Sequence, residues 1–206
     1  MKEDFLGTGR VNQKAQTRIN ILDAAKRLLD KNETVTLEDI AKEANISRAT
    51  MYRYYSSVDV VITEATLDIN HKTPKEILQL LKGMGLIDRI YAIQKYYNTL
   101  ALKHETAFRR YMSAVLSESI SSKTKLRGAR RVKTLNLALE PFQDEIKLEE
   151  KEKLINVATI LMGIDPIIAG KDVCELSNAE VNESLVWALE MILKGMGLED
   201  RGDKTK

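Results

Sequence analysis

Residues 36–55, TLEDIAKEANISRATMYRYY, contain two short helical patterns separated by a tight break, and this stretch decides the fold. Thr36 stands before the first pattern and Asp39 follows three residues later, which is the spacing of a capping box and predicts a helix start. Asn45 tolerates the left-handed backbone conformation, so we expect the first helix to end near it. Ser47 then predicts the N-cap of a second helix. The stretch therefore predicts two short helices joined by a tight turn.

The two predicted helices have inner faces that are small and apolar enough to cross closely, as in a helix-turn-helix. The inner positions are Ile40, Ala41, Ala44, Ile46, Met51 and Tyr54. The outer face of the second helix, expected at 48–55, carries basic and hydroxyl side chains. Arginine there can donate two hydrogen bonds to guanine in a major groove, whereas threonine and tyrosine hydroxyls can hold phosphates. The candidate DNA contacts are Thr36, Ser47, Arg48, Ala49, Thr50, Tyr52, Arg53 and Tyr54.

Helical periodicity also flanks this stretch. An apolar repeat from Ile19 to Leu29 predicts a preceding helix, with residues 1–12 frayed ahead of it. The break SSVD at 56–59 predicts the cap of a fourth helix that ends before Pro74. Three basic residues spaced four apart would share one helical face ahead of the first apolar repeat, as an arm onto phosphates or the minor groove, or as a plain solvated face. They are Arg10, Lys14 and Arg18.

The composition favours an all-α protein. Leu, Ile, Ala, Lys and Glu dominate, whereas the chain has only 3 Pro and 10 Gly. A length of 206 residues fits a small and a medium domain, which we expect at 1–58 and 59–206. The larger part carries further helical patterns and no strand-like alternation. The net charge of +2 is small, so DNA binding would have to rest on a local basic patch.

Several classes of protein are disfavoured by what the sequence lacks. Cys174 is the only cysteine, which excludes an intrachain disulfide and fits a reducing cytoplasm. His71 and His104 lack metal-ligand spacing, so neither a metal site nor a cofactor is expected. No Gly-rich phosphate loop, nucleophile elbow or HExxH motif is found, so we do not expect an enzyme. No apolar run approaches the roughly 18 residues that span a bilayer, and we expect a cytoplasmic protein.

The segments RINILDAAKRLLDKN at 18–32 and VTLEDIAKEANISRATMYRYYSSVDVV at 35–61 resemble the N-terminal domain of the TetR family of transcriptional regulators. The ending TMYRYY closely resembles the end of the recognition helix in that family. The sequence departs from the family pattern at Asn45, where Gly is usual, and at Tyr55, where Phe is usual. It departs again at Ser56 and Val58, where Pro and Lys are common. Without a Lys at position 58, the N-terminus of the fourth helix itself can still bind a phosphate.

The resemblance implies a C-terminal domain that forms a homodimer and often binds a small molecule, and hence a repressor that an effector releases from operator DNA. An apolar stripe that includes Ile164 and the apolar segment LVWALEMIL from Leu185 make the last long helices the candidate dimer surface, as a four-helix bundle. A basic cluster at 127–133 could meet an acidic ligand or a partner's carboxylates, or be a solvated face. The alternative function is an effector-independent architectural or partner-recruiting protein of the same fold.

An effector pocket among helices would need apolar walls and a few polar anchors. The candidate residues, each of which is also typical of an ordinary core, are Tyr96, Tyr97, His104, Phe108, Tyr111, Met112, Met162 and Trp187. We expect helix four to act as the lever between such a pocket and the recognition helix, because it is the connection that the sequence shows.

Overall fold

A computed structural model of the chain describes residues 4–29, 35–69, 71–121 and 127–198, and the all-α prediction is confirmed over these ranges. No strand occurs in them. The first helices are α1 (Asp4–Leu29), α2 (Leu37–Glu43), α3 (Arg48–Tyr54) and α4 (Val58–Ile69). They are followed by α5 (Pro74–Leu80), α6 (Leu86–Lys103), α7 (Glu105–Ser121) and α8 (Arg130–Leu139). After a short 3-10 helix at Glu140–Phe142 come α9 (Leu148–Ile160), α10 (Ile164–Asp172) and α11 (Asn178–Gly195).

The helical spacing of apolar residues produces two compact units. The N-terminal unit comprises residues 1–71 and 106–127, and the C-terminal unit comprises residues 72–105 and 128–206. This division differs from the predicted boundary after residue 58, because α4 and α7 bury apolar side chains with the first three helices. The chain passes from one unit to the other three times, after residues 71, 105 and 127. Along the chain the recognition helix is joined to the C-terminal unit through α4, as expected, and α7 is an additional connection between the two units.

The core of the N-terminal unit is built from one face of each of its helices. It includes Ile21 and Ala25 of α1, Ile40 of α2 and Met51 of α3, all with 0% exposure. Val115 of α7 is buried in the same core at 3% exposure. Because α2 and α3 have only seven residues each, they cannot be stable alone, and this shared core must hold them.

Helix α1 begins at Asp4, so the prediction that residues 1–12 fray was wrong from Asp4 onwards. No proline lies between Asp4 and Leu29, and each N–H can therefore continue the helical hydrogen bonding. The two glycines at 7 and 9 cost helix propensity but do not break the ladder.

The predicted caps of α2 and α3 are confirmed. Thr36 Oγ1 accepts from Asp39 N at 3.2 Å, and Asp39 Oδ2 accepts from Thr36 N at 3.0 Å, which completes a capping box. The Thr36 hydroxyl, which donates to Asp39 Oδ2 at 2.5 Å, and Thr36 N lower the pKa of Asp39 because they stabilise its carboxylate. Asn45 has φ of 54°, the left-handed conformation expected at the turn. Ser47 Oγ accepts from Thr50 N at 3.1 Å and starts α3.

The C-terminal unit buries a larger core between α5, α6, α8, α9 and α11. Ile90 and Ile93 of α6, Leu135 of α8 and Leu189 of α11 are all at 0% exposure. Leu185 is 8% exposed and Ile164 is 5% exposed, so both are buried within a single chain. Both side chains are already covered by their own chain and are therefore poor dimer contacts, whereas the choice of the last long helices as the dimer surface stays a prediction. Within the described ranges no single helix is long and apolar enough to cross a membrane, although α9 and α10, bent by 51°, pass that test as a pair.

The capping box of α2 gives a first prediction. Thr36→Ala removes the side-chain acceptor of the cap and should lower the free energy of unfolding by about 1 kcal/mol. Urea unfolding followed by helical circular dichroism measures the change. Thr73→Ala is the matched control, because Thr73 forms the same box with Glu76 at the start of α5 in the C-terminal unit. A free energy of unfolding that is unchanged in Thr36→Ala, while Thr73→Ala loses about 1 kcal/mol, would contradict the capping role of Thr36.

Candidate nucleic-acid interface

The exposed face of α3 gathers the side chains that the sequence singled out. Arg48, Ala49, Tyr52 and Arg53 are exposed, and Thr50 and Tyr54 are half-buried. On the opposite face Met51 is fully buried, which fixes the rotation of the helix about its axis. Tyr54 also packs against the core, so it is held at the edge of the exposed face rather than projecting from it.

Two cations on this face are available to an anion. Arg48 and Arg53 form neither a hydrogen bond nor an ion pair with the described residues. Both arginines belong to a short helix whose N-terminus is capped by Ser47. Ser47 Oγ lies 2.9 Å from Thr50 Oγ1, which orients that hydroxyl. Arginine side chains can donate to base edges, and hydroxyl groups can contact phosphate oxygens.

Tyr52 has a partner that the sequence did not reveal. Its hydroxyl donates to Glu38 Oε1 of α2 at 3.0 Å, and this hydrogen bond raises the pKa of Tyr52. The carboxylate of Glu38 thus lies on the same surface as the arginines. A phosphate contact from Tyr52 requires that hydroxyl to leave Glu38. Glu38 was missed because position 38 is read from sequence only as an acidic residue in the first turn of a helix.

Arg18 lies in a different environment from the predicted basic arm. Its Nε and Nη2 donate to Glu64 Oε1 and Oε2 at 2.9 and 2.6 Å, and the side chain is 19% exposed. Its guanidinium lies 5.2 Å from the centre of the Tyr55 ring. Arg18 is thus mostly buried and paired with Glu64, and it does not lie on the exposed face of α3. The side chains of Arg10 and Lys14 lie outside the described residues.

The basic cluster after α7 is also partly internal. Arg131 Nη2 pairs with Asp165 Oδ2 at 2.9 Å, and Nη1 donates to Thr159 O at 3.2 Å and to Met162 O. These carbonyls are at the end of α9, where a cation is favourable. Arg131 therefore connects the end of α9 to the start of α10. Its charge is already paired with Asp165 and not presented to an acidic ligand.

The candidate effector residues are divided between the two compact units. Phe108, Tyr111 and Met112 belong to the N-terminal unit, whereas Tyr96, Tyr97, His104, Met162 and Trp187 belong to the C-terminal unit. Within the C-terminal unit Met162 is fully buried, Tyr97 is 4% exposed and Trp187 is 61% exposed. Tyr97 shares a hydrogen bond of 2.9 Å with Thr134, and burial raises the pKa of Tyr97 to about 12. Such a group is typical of a packed core.

A groove in the C-terminal unit lies between α6 and α11 and has a volume of about 850 Å³. The predicted effector residues are absent from its lining, which consists of Tyr91, Gln94, Lys95, Thr99, Leu102, Asn178, Ala179, Asn182, Val186 and Glu190. Gln94 is 0% exposed, and its Nε2 donates to Leu161 O and Leu185 O at 3.0 and 2.9 Å. No donor among the described residues reaches Gln94 Oε1. The groove thus combines apolar walls with amide groups and two opposite charges.

Residues 21–64 match the family model described as "Bacterial regulatory proteins, tetR family". The matched range begins in α1, includes all of α2 and α3, and ends in α4 at Glu64. The predicted resemblance is confirmed, and with it the helix-turn-helix character of the N-terminal domain. No curated protein and no solved structure matches the chain.

The position of Arg48 gives a second prediction. Arg48→Ala should weaken binding to a specific DNA site by about 1 to 3 kcal/mol, because a bidentate contact to a base is of that order. Fluorescence anisotropy with labelled duplexes measures the affinity. Tyr52→Phe is the comparison variant, since a lost phosphate contact should weaken specific and unrelated DNA to the same degree. An equal loss on both kinds of DNA for Arg48→Ala would contradict base reading by Arg48.

Proposed function

We propose that this chain, a TetR-type DNA-binding transcriptional regulator by its N-terminal domain, is a cytoplasmic repressor that binds operator DNA as a homodimer and is released by a small-molecule effector. The observation that carries the DNA-binding part is that Arg48 and Arg53 of α3 are exposed and Thr50 is half-buried, whereas Met51 of the same helix is fully buried. A helix that is held in the core by one buried side chain and that exposes arginines can lie in a major groove.

The DNA-binding part is tested by titrating the purified protein against DNA from upstream of its own gene. Anisotropy should show saturable binding that is stronger than binding to a scrambled duplex, and it should weaken steeply as salt rises because phosphates release counterions. Equal affinity for the scrambled duplex at every salt concentration would contradict a specific operator.

Dimerisation is proposed because one helix-turn-helix makes few contacts, and two half-sites about 34 to 36 Å apart, or a multiple, must be met together. Three apolar side chains of α11 face outward: Trp187 is 61% exposed, and Val186 and Met191 are each 37% exposed. Aromatic residues and methionine are enriched at the centres of interfaces. The outward side of α11, rather than Leu185, is therefore the proposed contact between subunits.

The proposed dimer surface gives a third prediction. Trp187→Glu should yield monomers that keep their helical content and lose operator binding, because a buried unpaired charge is costly at an apolar interface. Sedimentation velocity measures the mass. Leu80→Glu is the matched control, because Leu80 is similarly exposed at 58% but lies on α5. A Trp187→Glu variant that remains dimeric would exclude this side of α11 as the contact.

The groove between α6 and α11 is the proposed entry site of the effector. Its volume falls within the range of about 300 to 1,000 Å³ that is common for ligand sites. The apolar walls suit the body of an amphipathic molecule, and a hydrogen-bond donor on that molecule would suit Gln94 Oε1. Asn182 and Asn98 extend the polar floor, since Asn98 Nδ2 donates to Asn182 Oδ1 at 3.2 Å and Asn98 Oδ1 accepts from Gly163 N at 2.9 Å.

Filling the groove gives a fourth prediction. Ala179→Trp places an indole in the groove and should abolish both the fluorescence of bound anilinonaphthalene sulfonate and the response to any compound that releases the protein from DNA. Affinity for the operator should stay within about twofold, as for most surface substitutions. Ala129→Trp, at an exposed position before α8, is the control. Unchanged dye binding and an unchanged response in Ala179→Trp would exclude this groove as the effector site.

The alternative is an effector-independent architectural or partner-recruiting protein that uses the same DNA-binding domain. It is favoured if no compound changes the affinity for the operator. Linkage distinguishes the two, because an effector that weakens DNA binding must itself be bound more weakly, by the same factor, when operator DNA is present. Calorimetric titration of a releasing compound with and without operator measures that factor.

A further inference from the structure

One carboxylate collects hydrogen bonds from two other elements of the N-terminal unit. Glu64 of α4 accepts from Arg18 Nε and Nη2 of α1 at 2.9 and 2.6 Å, and its Oε2 also accepts from Tyr55 Oη at 3.0 Å. Tyr55 is the C-cap of α3, and its N–H closes the last turn on Met51 O at 3.0 Å. The end of the recognition helix is therefore attached to α1 and α4 through Glu64.

The attachment is partly screened from water. Tyr55 is 2% exposed, and the side chains of Arg18 and Glu64 are 19% and 15% exposed. Burial disfavours the charged form of Arg18, but the neighbouring Tyr55 and Glu64 outweigh it and raise its pKa. The guanidinium is thus charged at every pH at which the protein works, and it holds a fixed planar geometry against the carboxylate.

Helix α7 joins the same group of side chains. Tyr111 Oη lies 3.5 Å from Arg18 Nη2, and burial with the nearby charge of Glu64 raises the pKa of Tyr111 to about 12. One turn further along α7, Val115 is buried in the core that contains Met51. The first residue of α7, Glu105, belongs instead to the C-terminal unit, where it pairs with Lys171 Nζ at 2.7 Å. One continuous helix thus carries contacts of both units.

We propose that Glu64 is a positioning residue for DNA reading, which fixes the end of α3 and makes α7, through Tyr111 and Arg18, a second route by which the C-terminal unit acts on the recognition helix. This inference rests on the proposed DNA-binding function. A seven-residue helix has little stability of its own, so its orientation depends on Met51 and on the anchored Tyr55. Loosening the Tyr55 anchor would displace Arg48 and Arg53 relative to the bases without removing either.

The chain provides a matched control for Glu64. Lys26 Nζ pairs with Asp68 Oδ2 at 2.5 Å, and this pair also joins α1 to α4, with side-chain exposures of 22% and 18%. Asp68→Asn therefore removes an ion pair of similar burial between the same two helices but one turn away from Glu64. A merely structural role predicts similar consequences for Glu64→Gln and Asp68→Asn, whereas a positioning role predicts a difference in DNA reading.

The test compares both variants at a temperature where circular dichroism shows each to be folded. Glu64→Gln should lower the affinity for the operator by about tenfold and the affinity for unrelated DNA by less than about threefold, because base contacts need the finer placement. Asp68→Asn should leave the ratio of the two affinities unchanged. Hydrogen exchange of the amides of residues 52–55, measured without DNA, should quicken in Glu64→Gln alone. Equal affinity ratios or equal exchange in the two variants would overturn the positioning role.

Two further variants test the route through α7. They also keep the proposal testable if the Glu64→Gln protein does not fold. Tyr55→Phe removes only the hydroxyl and should quicken the same amides. Tyr111→Phe should weaken operator binding in the wild-type background and should have no effect when Tyr55 is already Phe, which a double-mutant cycle measures. Additive effects would overturn the α7 route. If the wild-type protein bound no DNA, the proposed function would be contradicted. The exchange measurements would still show whether Glu64 holds the end of α3 in place.

Discussion

The burial of Met51 and Tyr55 is the constraint on which the rest of this structure depends. Helix α3 has seven residues, and a helix of that length does not persist in water without packing. Met51 fixes the middle of the helix in the core of the N-terminal unit, and Tyr55 fixes its end through Glu64 of α4 and Arg18 of α1. The exposed side of α3 therefore contributes little to the core, although Tyr52 donates a hydrogen bond to Glu38 of α2. Arg48, Thr50 and Arg53 can be chosen for what they contact outside the protein.

Two arginines of α1 are paired with carboxylates, whereas the exposed arginines of α3 are not paired with any of the described residues. The interior cation Arg18 is neutralised by Glu64, and Arg27 of α1 pairs with Glu43 at 2.7 Å. Glu38 is the exception, because its carboxylate lies at the exposed face and accepts from Tyr52. A carboxylate at that place repels phosphates and so opposes the attraction of the two arginines. The small net charge of the chain is therefore compatible with DNA binding, since the local pattern decides.

The features that depend on neighbouring residues in the sequence could be predicted, and those that depend on distant contacts could not. The box of Thr36 with Asp39, the turn at Asn45 and the cap at Ser47 each arise within four residues, so they were readable from the sequence. The place of α7 in the N-terminal unit and the burial of Leu185 depend on contacts between distant segments. Arg18 shows the difference most clearly: its spacing from Lys14 suggested a basic arm, but Glu64, 46 residues away, determines its environment.

Amide chemical-shift mapping is the most direct test of the claim that the exposed face of α3 reads DNA. Isotope-labelled protein would be titrated with duplex DNA from upstream of its own gene, and each backbone amide would be followed. The account predicts that the largest changes fall on residues 47–53, with smaller changes at the starts of α2 and α4 and little change in α10. Changes centred on another surface, with residues 47–53 unaffected at saturation, would contradict it.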